Sequence, residues 1–290
     1  MKLDFISARG DRLPLVGNDL FELVNVSGMT TIATSISSST IGSADGDEVN
    51  NIKANPRPLI FDLRIKSGVN VEYAKRSVLQ VVKIKQLGTI EWTQNERTVT
   101  ISGVTESVDM PRWTNDVTLQ ITMYCSQPYW EDIDFVVKQI SEAIDLHWFT
   151  DSAAGMLYFP EQGIPLGEYD TIRTKGFHNG GDVAVGLEIS IVAFDTVTNP
   201  IIYDGNGKFM GIGYGDGAKM VRLKAGDNVV VTTHKGKKNI TLNGKSILSK
   251  IRPQSTWLQL EAGDNLFTIN SDDDSITNMA FSLIYKQRYV

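Results

Sequence analysis

The chain has 290 residues, 41% apolar and 21% charged, with a formal net charge of −6 at neutral pH. A length of this order buries one large core or two ordinary ones, and two domains is the expectation. Residues 1–146 carry 14 Lys/Arg against 19 Asp/Glu and residues 147–290 carry 14 against 15, so composition excludes a phosphate-driven grip on nucleic acid.

No apolar run approaches the length that crosses a bilayer. Met1–Phe5 begins no apolar leader region, so no signal peptide is expected. Cys125 is the single cysteine; it rules out an internal disulfide and suits assembly in a reducing cytoplasm.

Lys2–Ile6 and Asp19–Val26 are short β-like runs, parted by Arg9-Gly10-Asp11 and Pro14. The Arg-Gly-Asp triplet matches an integrin-type ligand, but a turn between strands is the better reading. Residues 27–56 are rich in Ser, Thr, Gly and Asn and too long for an ordinary connection, which makes them either a functional excursion or a mobile loop. Asp45-Gly46-Asp47-Glu48 lacks the further spaced oxygens of a calcium loop and reads as a solvated turn. Leu59–Ile65 reads as a strand.

Over residues 70–87 the period changes: Val71, Ala74, Val78, Val81 and Val82 recur at helical spacing between Gly68 and Gly88, which predicts an amphipathic helix. Thr89–Thr93, Thr98–Ser107 and Asp116–Tyr124 alternate and predict an antiparallel meander, with Cys125 a buried structural thiol at its end. Ile133, Val136, Val137, Ile140 and Ile144 fall at offsets of 3, 4, 7 and 11, behind an acidic Glu131, Asp132 and Asp134. That stripe predicts a second helix over 131–146, with the domain boundary just beyond it at 147–155.

The second half reads as nearly all β, with strands predicted at Gly176–Asn179, Leu187–Phe194, Pro200–Asp204, Ala218–Leu223, Asn228–Thr233, Asn239–Leu242, Thr256–Leu260, Asn265–Asn270 and Asn278–Lys286. An Ala-Gly-Asp-Asn phrase occurs twice, at 225–228 and 262–265, each time between β-rich runs, and predicts two tight corners. Asn243-Gly244 predicts a two-residue hairpin turn. The fold class is therefore mainly β with a few helices: an α+β N-terminal domain (1–150) and an all-β, jelly-roll or galectin-like sandwich (151–290).

Catalytic and cofactor signatures are missing. His147, His178 and His234 are scattered, and no G-x-S-x-G elbow, H-E-x-x-H helix or P-loop occurs. The glycines at 211, 213, 215 and 217 precede no helix, unlike a phosphate loop. Asp272-Asp273-Asp274 reads as a charged hairpin tip, because consecutive side chains of a strand point opposite ways. No cofactor, metal or catalytic residue is expected, and a hydrolase reading rests only on abundant carboxylates. Two surface features remain. No acid lies between Asp227 and Glu261, so Lys235, Lys237, Lys238 and Lys245 flank one hairpin as a candidate partner-contact patch, against the plain reading of a solvated face. Tyr203, Phe209 and Tyr214 are candidate stacking residues for a surface sugar, whereas Trp257 is expected to be buried.

Several motifs stand in one order: Asn179-Gly180-Gly181-Asp182 before Leu187–Ile191, Thr198-Asn199-Pro200, Ala225-Gly226-Asp227, Ile240–Gly244, Trp257–Leu260 with Gly263-Asp264-Asn265, and an aromatic end through Tyr285 and Tyr289. With Asp45-Gly46-Asp47 and Gln127-Pro128-Tyr129-Trp130 in the first half, the series resembles the distal tail proteins of siphoviruses and prophages. That resemblance implies a structural protein of a phage tail tip or baseplate, with a ring-forming belt domain of split-barrel-like sheets and helices followed by a β-sandwich. It implies a homo-hexamer that joins the tail tube to tail-tip proteins and leaves a channel through which DNA passes unbound, placed in the virion tail after assembly in the bacterial cytoplasm. The alternative from another class is a glycan-binding sandwich that contacts host cell-surface carbohydrate.

Overall fold

The computed structural model describes residues 1–42, 45–110, 117–139, 142–144, 168–170 and 174–290. By internal contacts the chain divides into two compact units, residues 1–134 with 288–290, and residues 135–287. The boundary expected at 147–155 lies outside the described residues, as does His147.

Unit 1 contains β1 (Lys2–Ser7), β2 (Arg12–Pro14), β3 (Phe21–Ser27), β4 (Thr34–Thr40), β5 (Asp47–Ala54), β6 (Arg57–Ile65), α1 (Val71–Val81), β7 (Leu87–Gln94), β8 (Arg97–Asp109), β9 (Thr118–Cys125) and β10 (Trp130–Asp132). Most of these strands form one sheet in the order β2-β1-β7-β8-β9-β6-β3. β6 shows why. Arg57, Leu59, Phe61, Leu63 and Ile65 alternate inward at period two, and their neighbours on β9 repeat the pattern with Leu119, Ile121, Met123 and Cys125. The inner face closes over Ala74 and Val78 of α1. Asn70 caps that helix by accepting from the Tyr73 amide at 3.0 Å. The helix stops at Val81 rather than continuing to 87. Residues beyond it are captured by the sheet, with the Lys85 amide donating to the Thr105 carbonyl at 2.9 Å and the Thr105 amide to Gln86 at 3.1 Å.

The helix predicted over 131–146 is not formed in the described residues. β10 instead pairs with β8, and residues 136–139 add as a strand to the sheet of the second unit. The helical offsets were real but marked no buried face, since Ile133 and Val137 are exposed and only Val136 packs on a core. β-Branched residues suit an extended edge as well as they suit that stripe, and tertiary pairing decided. Ile140 lies outside the described residues, and Ile144 falls on a short strand.

Unit 2 contains β11 (Val136–Gln139), β12 (Glu142–Ile144), β13 (Glu168–Asp170), β14 (Thr174–Asn179), β15 (Val185–Gly186), β16 (Glu188–Ala193), β17 (Val197–Thr198), β18 (Ile201–Asp204), β19 (Phe209–Gly211), β20 (Arg222–Leu223), β21 (Asn228–Thr232), β22 (Asn239–Leu242), β23 (Lys245–Ser246), β24 (Gln259–Leu260), β25 (Gly263–Asn270) and β26 (Met279–Tyr285). A sheet ordered β11-β26-β16-β21-β22-β23 and another ordered β14-β25-β18-β19 share one core, with Ile189, Ile191, Val229, Val231, Phe281 and Leu283 from the first and Phe177, Ile202, Met210, Phe267 and Ile269 from the second. This is the expected mainly-β sandwich. A last strand, β27 (Arg288–Tyr289), pairs with β10 in unit 1, where Arg288 bonds Glu131 at 2.6 Å and the Tyr289 hydroxyl donates to Asp132 at 2.9 Å.

Both doubled phrases make corners, with Gly226 at φ +87° and Gly263 at φ +86°. They are held differently. At the first, Asp227 accepts from the Lys224 amide and from Asn243, each at 2.8 Å, which holds its carboxyl below the usual range. At the second, Asn265 donates to the Glu261 and Gly263 carbonyls and accepts from the Glu261 amide.

Candidate functional site

Residues 34–54 fold into the feature least explained by the two cores. Among the described residues β4 and β5 form a two-stranded antiparallel hairpin that joins no other sheet, and every residue of both strands except Ala54 is exposed. Its register makes it amphipathic. Ile36 lies opposite Ile52 and Ser38 opposite Val49 on one face, while Ser35 faces Lys53 and Ser37 faces Asn51 on the other. Ile36, Ile52 and Val49 are 62%, 65% and 53% exposed. Hydroxyl bonds brace the ribbon: Ser38 and Thr40 both donate to Asp47, and Ser35 donates to Asn55 at 2.6 Å. A two-stranded hairpin with so much apolar exposure is marginal alone and gains stability on burial of that face.

The arm leaves the sheet through a fixed root. The Met29 carbonyl accepts from Trp130 Nε1 at 3.0 Å and from Arg57 Nη1 at 3.2 Å. Gly28 sits at φ +87° against Pro58, where a Cβ would stand 2.0 Å from the carbonyl oxygen, so no other residue fits. The Asn55 amide closes the neck by donating to Ala33 at 2.8 Å. Burial lowers the pKa of the Arg57 guanidinium, whose Nε and Nη2 have no hydrogen-bond partner among the described residues. Cys125 lies beside it and is fully buried, and burial pushes its thiol up to about 11 from an ordinary 9. A raised thiol pKa favours the fold while both states are protonated and is lost as pH climbs from about 9 toward 11. Native protein at pH 8 is therefore expected to leave Cys125 unmodified by a disulfide reagent, with full reaction on unfolding in urea; stoichiometric labelling of the native state would refute this.

The basic residues singled out from the sequence are divided by the fold. Lys235, Lys237 and Lys238 precede β22, whereas Lys245 follows the Asn243-Gly244 turn at the other end of it, about 13 Å away for a four-residue strand. Lys238 rests 5.6 Å from the centroid of Trp257, which is half-buried against the core. Other cations of the same acid-free stretch serve internal bonds: Lys250 donates to the Met220 carbonyl and Arg252 to Asp272. Tyr203 and Phe209 are opposite one another on β18 and β19 with ring centroids 5.9 Å apart, both half-buried, while Tyr214 lies beyond β19 and outside that pair. Asp272 and Asp273 do more than decorate a tip. Asp272 accepts from Asn199 and Arg252, and Asp273 accepts from the Thr198 amide. Burial raises the Asp273 carboxyl, but bonds from Ser275, Thr198 and Ser271 outweigh it and hold the group far below the usual range. A cleft of about 860 Å³ opens beside β11, β14 and β26, lined by Val136, Val137, Phe177, His178 and Tyr285. Among the described residues no three His, Cys, Asp or Glu side chains cluster as a metal site, and no helix is long and apolar enough to cross a membrane.

The described residues form two mainly-β units, one of which carries an exposed two-stranded hairpin. Residues 180–289 match the family model of the siphovirus-type tail component, C-terminal domain. Across the whole chain the fold matches the crystal structure of the SPP1 Dit (gp 19.1) protein, described as a paradigm of the hub adsorption apparatus in phages that infect Gram-positive bacteria. That match has a TM-score of 0.67 at 14% identity and covers 99% of each chain, a likeness of fold. Two structures of the phage p2 baseplate in its activated conformation, with Sr and with Ca, align over 100% of this chain and 99% of theirs at 10% identity and a TM-score of 0.45. No curated protein sequence matches. The resemblance to distal tail proteins drawn from the ordered motifs thus agrees with the family match over residues 180–289 and with the fold match across the chain.

Proposed function

We propose that this chain is a structural protein of a phage tail tip or baseplate, placed in the virion tail, which forms a hexameric ring between the tail tube and the host-adsorption proteins. The observation that carries this reading is the arm of residues 34–54, an amphipathic ribbon with its apolar face bare on a chain whose fold is that of a hub adsorption protein. An exposed apolar face of this kind marks an interaction surface, and on this fold a neighbouring tail protein is the partner that suits it. The acidic balance of the first half supports a channel wall that DNA passes without being held.

Light scattering and negative-stain microscopy on the purified protein test the ring: sixfold particles are expected. A strictly monomeric species at high concentration that binds tightly to a glycan array would overturn it in favour of a second reading, a glycan-contacting sandwich. One observation favours that second reading, the Tyr203–Phe209 ring pair on the face of β18 and β19 turned away from the core.

A further inference from the structure

A second bare apolar surface exists on unit 1, and it is laid out by strand register. Leu87 of β7 lies opposite Val104 of β8, and Val104 lies opposite Tyr124 of β9. Tyr124 in turn lies opposite Pro58 of β6. Directly opposed residues of antiparallel strands share a face, so these side chains form one row across four strands, on the side away from the core. Leu87, Val104 and Tyr124 are 62%, 38% and 47% exposed, and Ile84 is exposed beside them.

We propose that the apolar face of the arm, Ile36, Val49 and Ile52, docks on the Leu87–Val104–Tyr124 row of a second copy of this chain. The two footprints agree in size. The row crosses two strand spacings, about 10 Å, and the three arm residues span about 7–10 Å of ribbon. Charge agrees as well. Asp45, Asp47 and Glu48 stand exposed at the arm's tip, while Lys83 and Lys85 stand exposed around Ile84 at the end of the row. The arm does not cover its own row, because both are exposed among the described residues. Its rigid root at Gly28, Asn55 and Met29 fixes where it points.

Because the two patches differ, the contact is head-to-tail, and repetition of it closes a ring or runs on as a filament. This inference rests on the ring reading above and specifies the contact that makes the ring.

Engineered thiols test it, since the native Cys125 is buried and out of reach. Protein carrying Ile52→Cys is mixed with protein carrying Val104→Cys under mild oxidation, and circular dichroism checks that each is folded. The expected result is a mixed interchain disulfide that exceeds either self-linked product at least tenfold. A charge reversal, Lys83→Glu with Lys85→Glu, is expected to raise the concentration for half-assembly about tenfold, and Asp45→Lys with Glu48→Lys in the same chain to restore it. Rings without the mixed disulfide would overturn this contact and leave the ring reading intact. A dominant Ile52–Ile52 link, read from Ile52→Cys alone, would replace it with arm-to-arm pairing. If neither rings nor mixed disulfide form, both readings fall.

Discussion

Replacement of Trp130 by alanine is expected to remove about 3–5 kcal/mol of stability, read as a fall in the urea midpoint at unchanged slope. Trp130 is almost wholly buried, its ring lies 5.6 Å from that of Trp92, and its Nε1 donates to Met29. Truncation opens a cavity at the junction of β8, β10 and β27 and removes one of the two donors that fix the root of the arm. With total stability of about 5–15 kcal/mol for an ordinary domain, such a loss leaves little in reserve. Trp130→Phe keeps most of the volume and loses the donor, and should cost only about 1–2 kcal/mol, because Arg57 still bonds the same carbonyl. Equal losses for the two variants would mean that the hydrogen bond, not packing, is what Trp130 supplies.

In unit 2 the largest effect is expected at Asn199. It is fully buried, adopts φ +48°, donates from Nδ2 to the Gly215 carbonyl at 3.1 Å and to Asp272 at 2.8 Å, and accepts from the Val221 amide at 2.8 Å. Asn199→Ala strips these bonds, strands the Val221 amide in the interior, and places a residue with no local polar group in the left-handed region; about 3–5 kcal/mol should be lost. Asn199→Asp should be worse, since a carboxylate would then face that of Asp272. Gly213→Ala should be about as damaging as Asn199→Ala. At φ +82° its new Cβ would stand 2.3 Å from Asn199 Oδ1 and 2.7 Å from the Val221 nitrogen. Since one clash is with Asn199 itself, the double variant should cost clearly less than the sum of the singles. Strict additivity in urea titrations would show that the two residues do not share this site.

Asn199 shares its character with a second buried asparagine, Asn179. Asn199 and Asn179 were visible as members of an ordered motif series, yet nothing local announced their work. Asn179 binds the Val183 and Leu260 carbonyls and the Gly181 amide, and the partners of Asn199 lie at 215, 221 and 272. The arm was invisible for a related reason. Ser and Thr mask the alternation around Ile36, and an irregularity between Ser37 and Ser38 breaks the register, so period two is absent from the one-dimensional pattern. The lysines of the candidate patch fall at both ends of β22, Lys235, Lys237 and Lys238 before it and Lys245 after it, which sequence distance alone does not show.

The sequence by itself determined the mainly-β class, the helix near residue 71, the meander, and the corners at Gly226, Asn243-Gly244 and Gly263, because each rests on local dihedral preference or on a period that strands and helices impose directly. Only the tertiary structure decided that residues 136–139 are an edge strand rather than a helix, that the last residues return to β10, and that two apolar faces of unit 1 stand bare. Those outcomes depend on which distant strand supplies the hydrogen bonds and which face is left without a neighbour, and neither is a property of any stretch of chain read alone.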